Sequence, residues 1–296
     1  MTSRGDVGQY VVVRFAPSPN GLLHLGHAYA ACVVHDYARE RGGKLMLRIE
    51  DIDSERSKPE FVDAILADLR WLGLDWDGKV IFQSDRLDSY AETATRLKNE
   101  GLLYPCFCTR SSMRAVQEME ALEEGPDGPI YPGTCRNLHA GEAAERMENE
   151  PHSWRLDVAK AISLVGDLSW HDERHGDQIA DPTALGDVVL IPKDTPVSYH
   201  LAVTLDDARD GITHVVRGED LFASTHIHRL LQALLDLPVP CYVHHPVLLD
   251  ETGVKLSKSR DSASLAVLRE AGERGYFVAD KLRENIFPVG IMLSKG

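Results

Sequence analysis

The sequence predicts an α/β fold built on a doubly wound parallel sheet, with an inserted subdomain and a short helical tail. Three observations point there. A β-branched run, YVVVRF at 10–15, is followed by a proline-broken loop and a helical stretch. An alternating run and a second helix then repeat that order, and after a polar interruption containing cysteines the apolar patterning returns. Strand–helix–strand–helix order suits a parallel sheet, because each parallel strand needs a crossover connection.

Each element has its own signal. The run at 10–15 is short and β-branched, as a buried strand is. APSPNG at 16–21 carries two prolines and a glycine, which block regular structure. A helix is expected over 26–41. KLMLRIE at 44–50 alternates Leu45, Leu47 and Ile49 against Met46, Arg48 and Glu50, the period of a strand. The helix over 59–72 opens on Pro59, whose missing N–H costs nothing in a first turn. Residues 106–150 hold clustered cysteines and two polar helical stretches around GPDGPIYPG. From 154 to 196 the pieces WRLDV, ISLVG and DVVLIPKD read as short strands. Patterning returns at 198–205, at 213–217 and in a helix over 224–235, and the residues from Asp261 read as one or two helices. The expected division is a split Rossmann-like nucleotide-binding catalytic domain at 1–105 and 196–260, an inserted zinc-binding, acceptor-contacting α/β subdomain at 106–195, and a tail at 261–296.

Composition narrows the class. Of 296 residues, 43% are hydrophobic and 26% charged, ordinary for a globular chain. No run approaches the roughly 20 apolar residues of a membrane helix, and MTSRGDVGQY lacks a signal-peptide core. A cytoplasmic protein with no membrane partner is expected. A net charge of −14 argues against coating nucleic acid electrostatically, though a local basic surface remains compatible. The five cysteines are odd in number, which argues against a disulfide framework. Cys106, Cys108 and Cys135 lie close together, and a C-x-C with one later cysteine suits tetrahedral zinc plus a fourth ligand. On chemistry alone that ligand is His139, four residues after Cys135. The groups His171/His175, His226/His228 and His244/His245 have no matching cluster and read as structural.

Two short motifs carry the chemistry. His24-Leu25-Gly26-His27 lies at a helix start, where backbone N–H groups attract phosphate and Gly26 permits close approach. Two imidazolium rings three residues apart could stabilise charge building on a phosphate. Lys255-Leu256-Ser257-Lys258-Ser259 is a two-lysine loop after Gly253, suited to closing over a triphosphate.

The pair resembles the two signatures of class I aminoacyl-tRNA synthetases, written HIGH and KMSKS. Leu256 stands where methionine is common, a volume-conserving exchange. RFAPSPNGLLHLGH at 14–27, LRIEDID at 47–53, GITHVVRGED at 211–220 and Ser224-Thr225 are similar to glutamyl-tRNA synthetases. The resemblance implies ATP, with its Mg²⁺, bound by His24, Gly26, His27, Lys255 and Lys258, and catalysis through His24, His27 and Lys258. It implies L-glutamate bound by Arg14, Phe15, Ala16, Pro17, Ser18, Glu50, Tyr199 and Arg217. Arg14 and Arg217 would take carboxylates, as guanidinium forks do. Glu50 would take the ammonium, Tyr199 would reach the side chain, and Ser18 would contact the amino-acid backbone. Leu201-Ala202-Val203 is apolar where some relatives carry a polar residue.

Cys106-Phe107-Cys108, Tyr131 and Cys135, with few residues beyond Ser259, resemble the family of glutamyl-queuosine tRNA(Asp) synthetases. That resemblance implies one structural Zn²⁺ per chain, with Tyr131 rather than His139 as fourth ligand. It implies as acceptor the queuosine at the wobble position of tRNA(Asp), making its anticodon loop the partner. Two alternatives stand beside it: a shortened glutamyl-tRNA synthetase charging a 3′ end, and a non-catalytic tRNA-binding paralogue.

Overall fold

The computed structural model describes residues 10–119, 122–126, 128–256 and 264–295. The first half runs β1 (Val12–Phe15), α1 (Leu25–Glu40), β2 (Lys44–Ile49), α2 (Pro59–Trp71) and β3 (Ile81–Phe82). These strands form a parallel sheet in the order β1-β2-β3, with Val12 opposite Lys44 and Arg48 opposite Ile81. Proline at the start of α2 is where the sequence places it. Next come α3 (Leu87–Asn99), β4 (Leu103–Cys106), α4 (Arg110–Met119), the two short strands β5 (Glu124–Gly125) and β6 (Gly128–Pro129), and α5 (Ala140–Asn149). They are followed by β7 (Ser153–Leu156), α6 (Val158–Val165), β8 (Ser169–Asp172), β9 (Gly176–Ile179) and β10 (Val189–Ile191).

The second half has α7 (Tyr199–Arg209), β11 (His214–Gly218), α8 (Ser224–Leu234), β12 (Cys241–His245) and β13 (Leu248–Leu249). The chain ends in α9 (Leu265–Glu270), α10 (Gly275–Arg283) and β14 (Met292–Leu293). β11, β12 and β8 pair in parallel, with β9 antiparallel at the edge. Thr213 joins the two halves: its N–H donates to the Val12 carbonyl at 3.0 Å, and its hydroxyl accepts the Val12 N–H at 2.8 Å.

Two expectations are corrected. ISLVG belongs to α6, not to a strand. Asp157 caps that helix by accepting the Lys160 N–H, and Val158 and Ala161 are buried at helical spacing, which a five-residue window cannot separate from alternation. The tail also contains a strand, since β14 pairs antiparallel with β13. Within the segment 106–195, β7 and β10 form an antiparallel sheet with β4, whereas β8 pairs with β12 of the second half.

One core packs α1, β2 and α2 against the tail, through Leu25, Ala28, Leu47, Ile65, Leu69, Val278, Ala279 and Leu282. A second packs α3 against α7 and α8, through Leu97, Leu201, Ile227 and Leu231. The tail is pinned by an Arg269–Asp68 ion pair and by Arg283, whose Nε lies 2.7 Å from Asp36. Among the described residues, no helix is long and apolar enough to cross a membrane. At Gly275 the start of α10 comes so close to the Trp71 carbonyl that a Cβ there would overlap it. Gly275→Ala should therefore lower stability by about 1–3 kcal/mol, the usual cost of overpacking, as measured by denaturant unfolding. An unchanged midpoint would mean that α10 is not seated against α2.

Candidate active site

A cavity of about 590 Å³ opens at the carboxyl ends of β1, β2, β11 and β12, where ligands of open α/β sheets bind. Its walls bring together residues the sequence keeps far apart. Arg14, Phe15, Ala16, Pro17, Ser18, Glu50, Tyr199 and Arg217 line it, and so do His24, Gly26, His27 and Lys255. Lys258, with Ser257 and Ser259, lies outside the described residues.

At the nucleotide end, His24 is the N-cap of α1. Its Nδ1 accepts the Gly26 N–H at 3.1 Å, and His27 Nδ1 accepts the His24 N–H at 3.2 Å. The rings lie 3.8 Å apart. These bonds orient both rings by the backbone they cap. The described residues on either side of the second motif are tied down, one to β13 and one to the residues just before α1. Leu256 N–H donates to Leu248 O at 3.0 Å, and Leu265 N–H donates to Leu23 O at 2.8 Å. The Lys255 ammonium is paired with Asp220.

At the other end, the loop after β1 is fastened to β2 by the Glu50 N–H, which donates to Pro17 O at 3.1 Å. Arg14 is buried and its Nε donates to Asp207 at 3.0 Å. Arg48, fully buried, donates to Asp207 at 2.8 Å and to Asp210 at 3.2 Å, and Arg86 donates to Asp206 at 2.7 Å and to Asp210 at 2.6 Å. Gln83 and Tyr90 complete the shell of Asp206, each at 2.8 Å. Glu50 is left over. Its Oε1 is buried without a hydrogen bond, 3.7 Å from Arg48 Nη2. Burial pushes its carboxyl up to about 7, against the pull of Arg48 and Arg14.

Arg217 is the converse. It is buried, and among the described residues its hydrogen bonds run to neutral groups: Nε to His244 at 3.1 Å, Nη1 to Tyr199 at 3.2 Å and His228 at 3.3 Å, Nη2 to Thr225 at 2.7 Å and Leu221 O at 3.1 Å. Burial holds His244 down to about 4, against its bond to Asp172, and holds His228 well below its ordinary value, so neither adds charge. Among the described residues no carboxylate is paired with this guanidinium.

The cysteines converge separately, under β4. Cys106 Sγ lies 3.4 Å and Cys108 Sγ 3.7 Å from the Tyr131 hydroxyl, and Cys108 and Cys135 are 3.7 Å apart. Those are the spacings of ligand atoms around one tetrahedral ion. Arg155 Nε donates to Cys106 at 3.3 Å and its guanidinium covers the Tyr131 ring, supplying positive charge beside the cysteine sulfurs. His139 is the N-cap residue of α5 and is not in the cluster.

The model of the catalytic domain of class I tRNA synthetases for E and Q matches residues 10–287. This chain belongs to that family. Two relatives named glutamyl-Q tRNA(Asp) synthetase, from Rhodobacter capsulatus and Symbiobacterium thermophilum, are 45% and 41% identical over 269 residues. The matches cover 88% of this chain and 96% and 81% of those proteins. Among solved structures, the glutamate-tRNA synthetase of Elizabethkingia anophelis matches with a TM-score of 0.71 and 30% identity over 85% of this chain. A glutamate tRNA ligase from Elizabethkingia meningosepticum, solved with its amino acid, matches with a TM-score of 0.70. The chain spans about half the length of these two synthetases, 53% and 52%.

Within this member of the tRNA synthetase family, sequence reading missed the second layer of the site. Arg48, Arg86, Asp206, Asp207 and Asp210 were given no role in the sequence, and His228 and His244 were read as structural. The signal that could have found the first group is the density of aspartate on the half-apolar face of 199–210.

Because the folded Glu50 value lies above the ordinary one, its ionisation costs stability as pH rises from about 4.5 through 7. Glu50→Gln should then stabilise the ligand-free protein by roughly 1–3 kcal/mol at pH 8 and by little at pH 5. The check is unfolding of both proteins at the two pH values; a pH-independent difference would remove Glu50 as the surplus charge.

Proposed function

We propose that this chain activates L-glutamate with ATP to glutamyl-adenylate and transfers the glutamyl group to tRNA(Asp), on the queuosine base at the wobble position. One observation carries the reading: a single cavity whose walls hold a surplus carboxylate, Glu50, a guanidinium without a carboxylate partner, Arg217, and two imidazole donors at a helix start. The first two are the electrostatic complement of an amino acid with an acidic side chain.

In this reading Glu50 meets the ammonium and Arg217 with Tyr199 the side-chain carboxylate, taking over the two long Nη1 bonds. Arg14, already paired with Asp207, shapes the floor together with Phe15, Ala16 and Pro17, and Ser18 touches the amino-acid backbone. The glutamate α-carboxylate attacks the α-phosphate of ATP in line and pyrophosphate leaves. No protein nucleophile is needed, so catalysis is positioning and charge stabilisation. His24 and His27 donate Nε2–H to the phosphates, Gly26 permits their close approach at the helix start, and Lys255 and Lys258 neutralise the leaving group. Mg²⁺ bound with ATP would shield the phosphates. Cys106, Cys108, Tyr131 and Cys135 would hold one Zn²⁺, which supplies a cross-link between β4 and the loop before α5 and takes no part in the reaction. The segment 106–195 is the surface offered to the anticodon loop, in a cytoplasmic enzyme.

The kinetic test is glutamate-dependent ATP–pyrophosphate exchange without tRNA. Exchange is expected, and Lys258→Ala should slow it on the order of 100-fold with little change in glutamate KM. Arg217→Ala should chiefly raise that KM, and wild-type KM should rise as pH falls through 7 and Glu50 protonates. Exchange that requires tRNA, or Lys258→Ala with wild-type kcat, would overturn this part. Acid gel electrophoresis of tRNA(Asp) with and without queuosine decides the acceptor: label on tRNA lacking queuosine would favour charging of a 3′ end.

Elemental analysis should find about one zinc per chain, lost in Cys108→Ser and reduced in Tyr131→Phe. Zinc lost in His139→Ala and retained in Tyr131→Phe would replace the fourth ligand.

A further inference from the structure

Asp172 ends β8, in the segment that the sequence reading assigned to the insertion, and it is fully buried. All its contacts are N–H donors. Oδ1 accepts the backbone N–H of Arg174 at 2.9 Å and of His175 at 3.0 Å. Oδ2 accepts the His244 backbone N–H at 3.2 Å and its Nδ1 at 2.6 Å. His244 therefore carries its proton on Nδ1, and its bare Nε2 accepts from Arg217 Nε at 3.1 Å. The imidazole cannot swing away: Tyr242 stacks on it with an interplanar angle of 4°, and Phe222 and Trp170 close the sides with centroids 5.0 and 5.8 Å away.

We propose that Asp172 is a positioning residue for glutamate recognition: by fixing the tautomer of His244 it holds Arg217 in the orientation that meets the side-chain carboxylate. The proposal rests on the reading of Arg217 given above. Its logic is one of donor count. A carboxylate can accept all four N–H groups, whereas an amide has one oxygen. In Asp172→Asn the oxygen stays with the two backbone donors that close the turn, and the NH₂ faces His244. The ring then accepts at Nδ1 and moves its proton to Nε2, directly against the Arg217 Nε–H. The relocated Nε2–H can turn only to Thr225 Oγ1, 3.3 Å away and already the acceptor of Arg217 Nη2, so Arg217 loses its acceptor at Nε, meets a competitor at Nη2 and shifts out of register with the cavity.

The test combines kinetics with spectroscopy. In pyrophosphate exchange, Asp172→Asn should raise glutamate KM about ten-fold, the effect of one unsatisfied buried donor. ATP KM and kcat should stay within about two-fold. In an Arg217→Ala background the same change should have no further effect on glutamate KM, since the two residues act as one unit. Nitrogen-15 imidazole NMR should show His244 protonated at Nδ1 in the wild type and at Nε2 in Asp172→Asn, a signature that general loosening would not produce. His244→Phe keeps a buried ring and offers Arg217 no acceptor, so it should raise glutamate KM likewise and serves if Asp172→Asn does not fold. An unchanged glutamate KM in a folded Asp172→Asn or His244→Phe protein, an unmoved tautomer, or full additivity with Arg217→Ala would each overturn the proposal. If Arg217→Ala itself leaves glutamate KM unchanged while Asp172→Asn moves the tautomer, the role of Arg217 falls and the proposal falls with it, but the hydrogen-bond chain is retained.

Discussion

Three arginines from the first half of the chain clamp one helix of the second. Arg14 on β1, Arg48 on β2 and Arg86 after β3 meet Asp206, Asp207 and Asp210 along α7 and its C-terminal cap. Buried ion networks contribute little net stability against an apolar alternative, but removing one partner is costly because it strands the rest. The network therefore sets register more than strength. It fixes α7, and so Tyr199 at its first turn, relative to the ends of β1 and β2. It also explains the charge of the cavity. With Glu50 the group has four carboxylates and three guanidiniums, and Glu50, which has the poorest contacts, carries the imbalance.

Across the cavity the imbalance has the opposite sign. Arg217 is buried among neutral acceptors, and the Asp172 carboxylate reaches it only through a neutral imidazole. Closing the two halves against each other therefore produces a negative and a positive pole that local pairing does not cancel. Such poles destabilise an empty site and favour a zwitterionic ligand, a common trade between stability and binding.

Much of this was legible beforehand. β1, α1, β2 and α2 fall within a residue or two of their expected ends, because β-branched alternation and the Pro59 start are local signals, whereas β3 and α3 had no expected counterpart. The cavity residues were legible through resemblance, and Cys106, Cys108 and Cys135 through spacing. What was hidden depends on distance along the chain. Asp207 lies 193 residues from Arg14, and Asp172 lies 72 from His244. No window shows that Asp206 and Asp207 face inward, since two aspartates on a helix ordinarily face water. The pairing of β8 with β12 was hidden for the same reason, and it brings Asp172 behind the Arg217 end of the cavity.

The Lys255–Asp220 pair has a further consequence. While the nucleotide is away, the lysine is occupied by a carboxylate of its own chain. Any visiting anion must displace that carboxylate, so the loop works as a threshold and not as an attractive surface. A lone phosphate of an RNA backbone brings about one negative charge and competes poorly. A triphosphate brings several at once and frees the lysine by exchange. On the proposed reading, in a protein of net charge −14, the pair keeps an RNA phosphate from engaging Lys255 before ATP has claimed it.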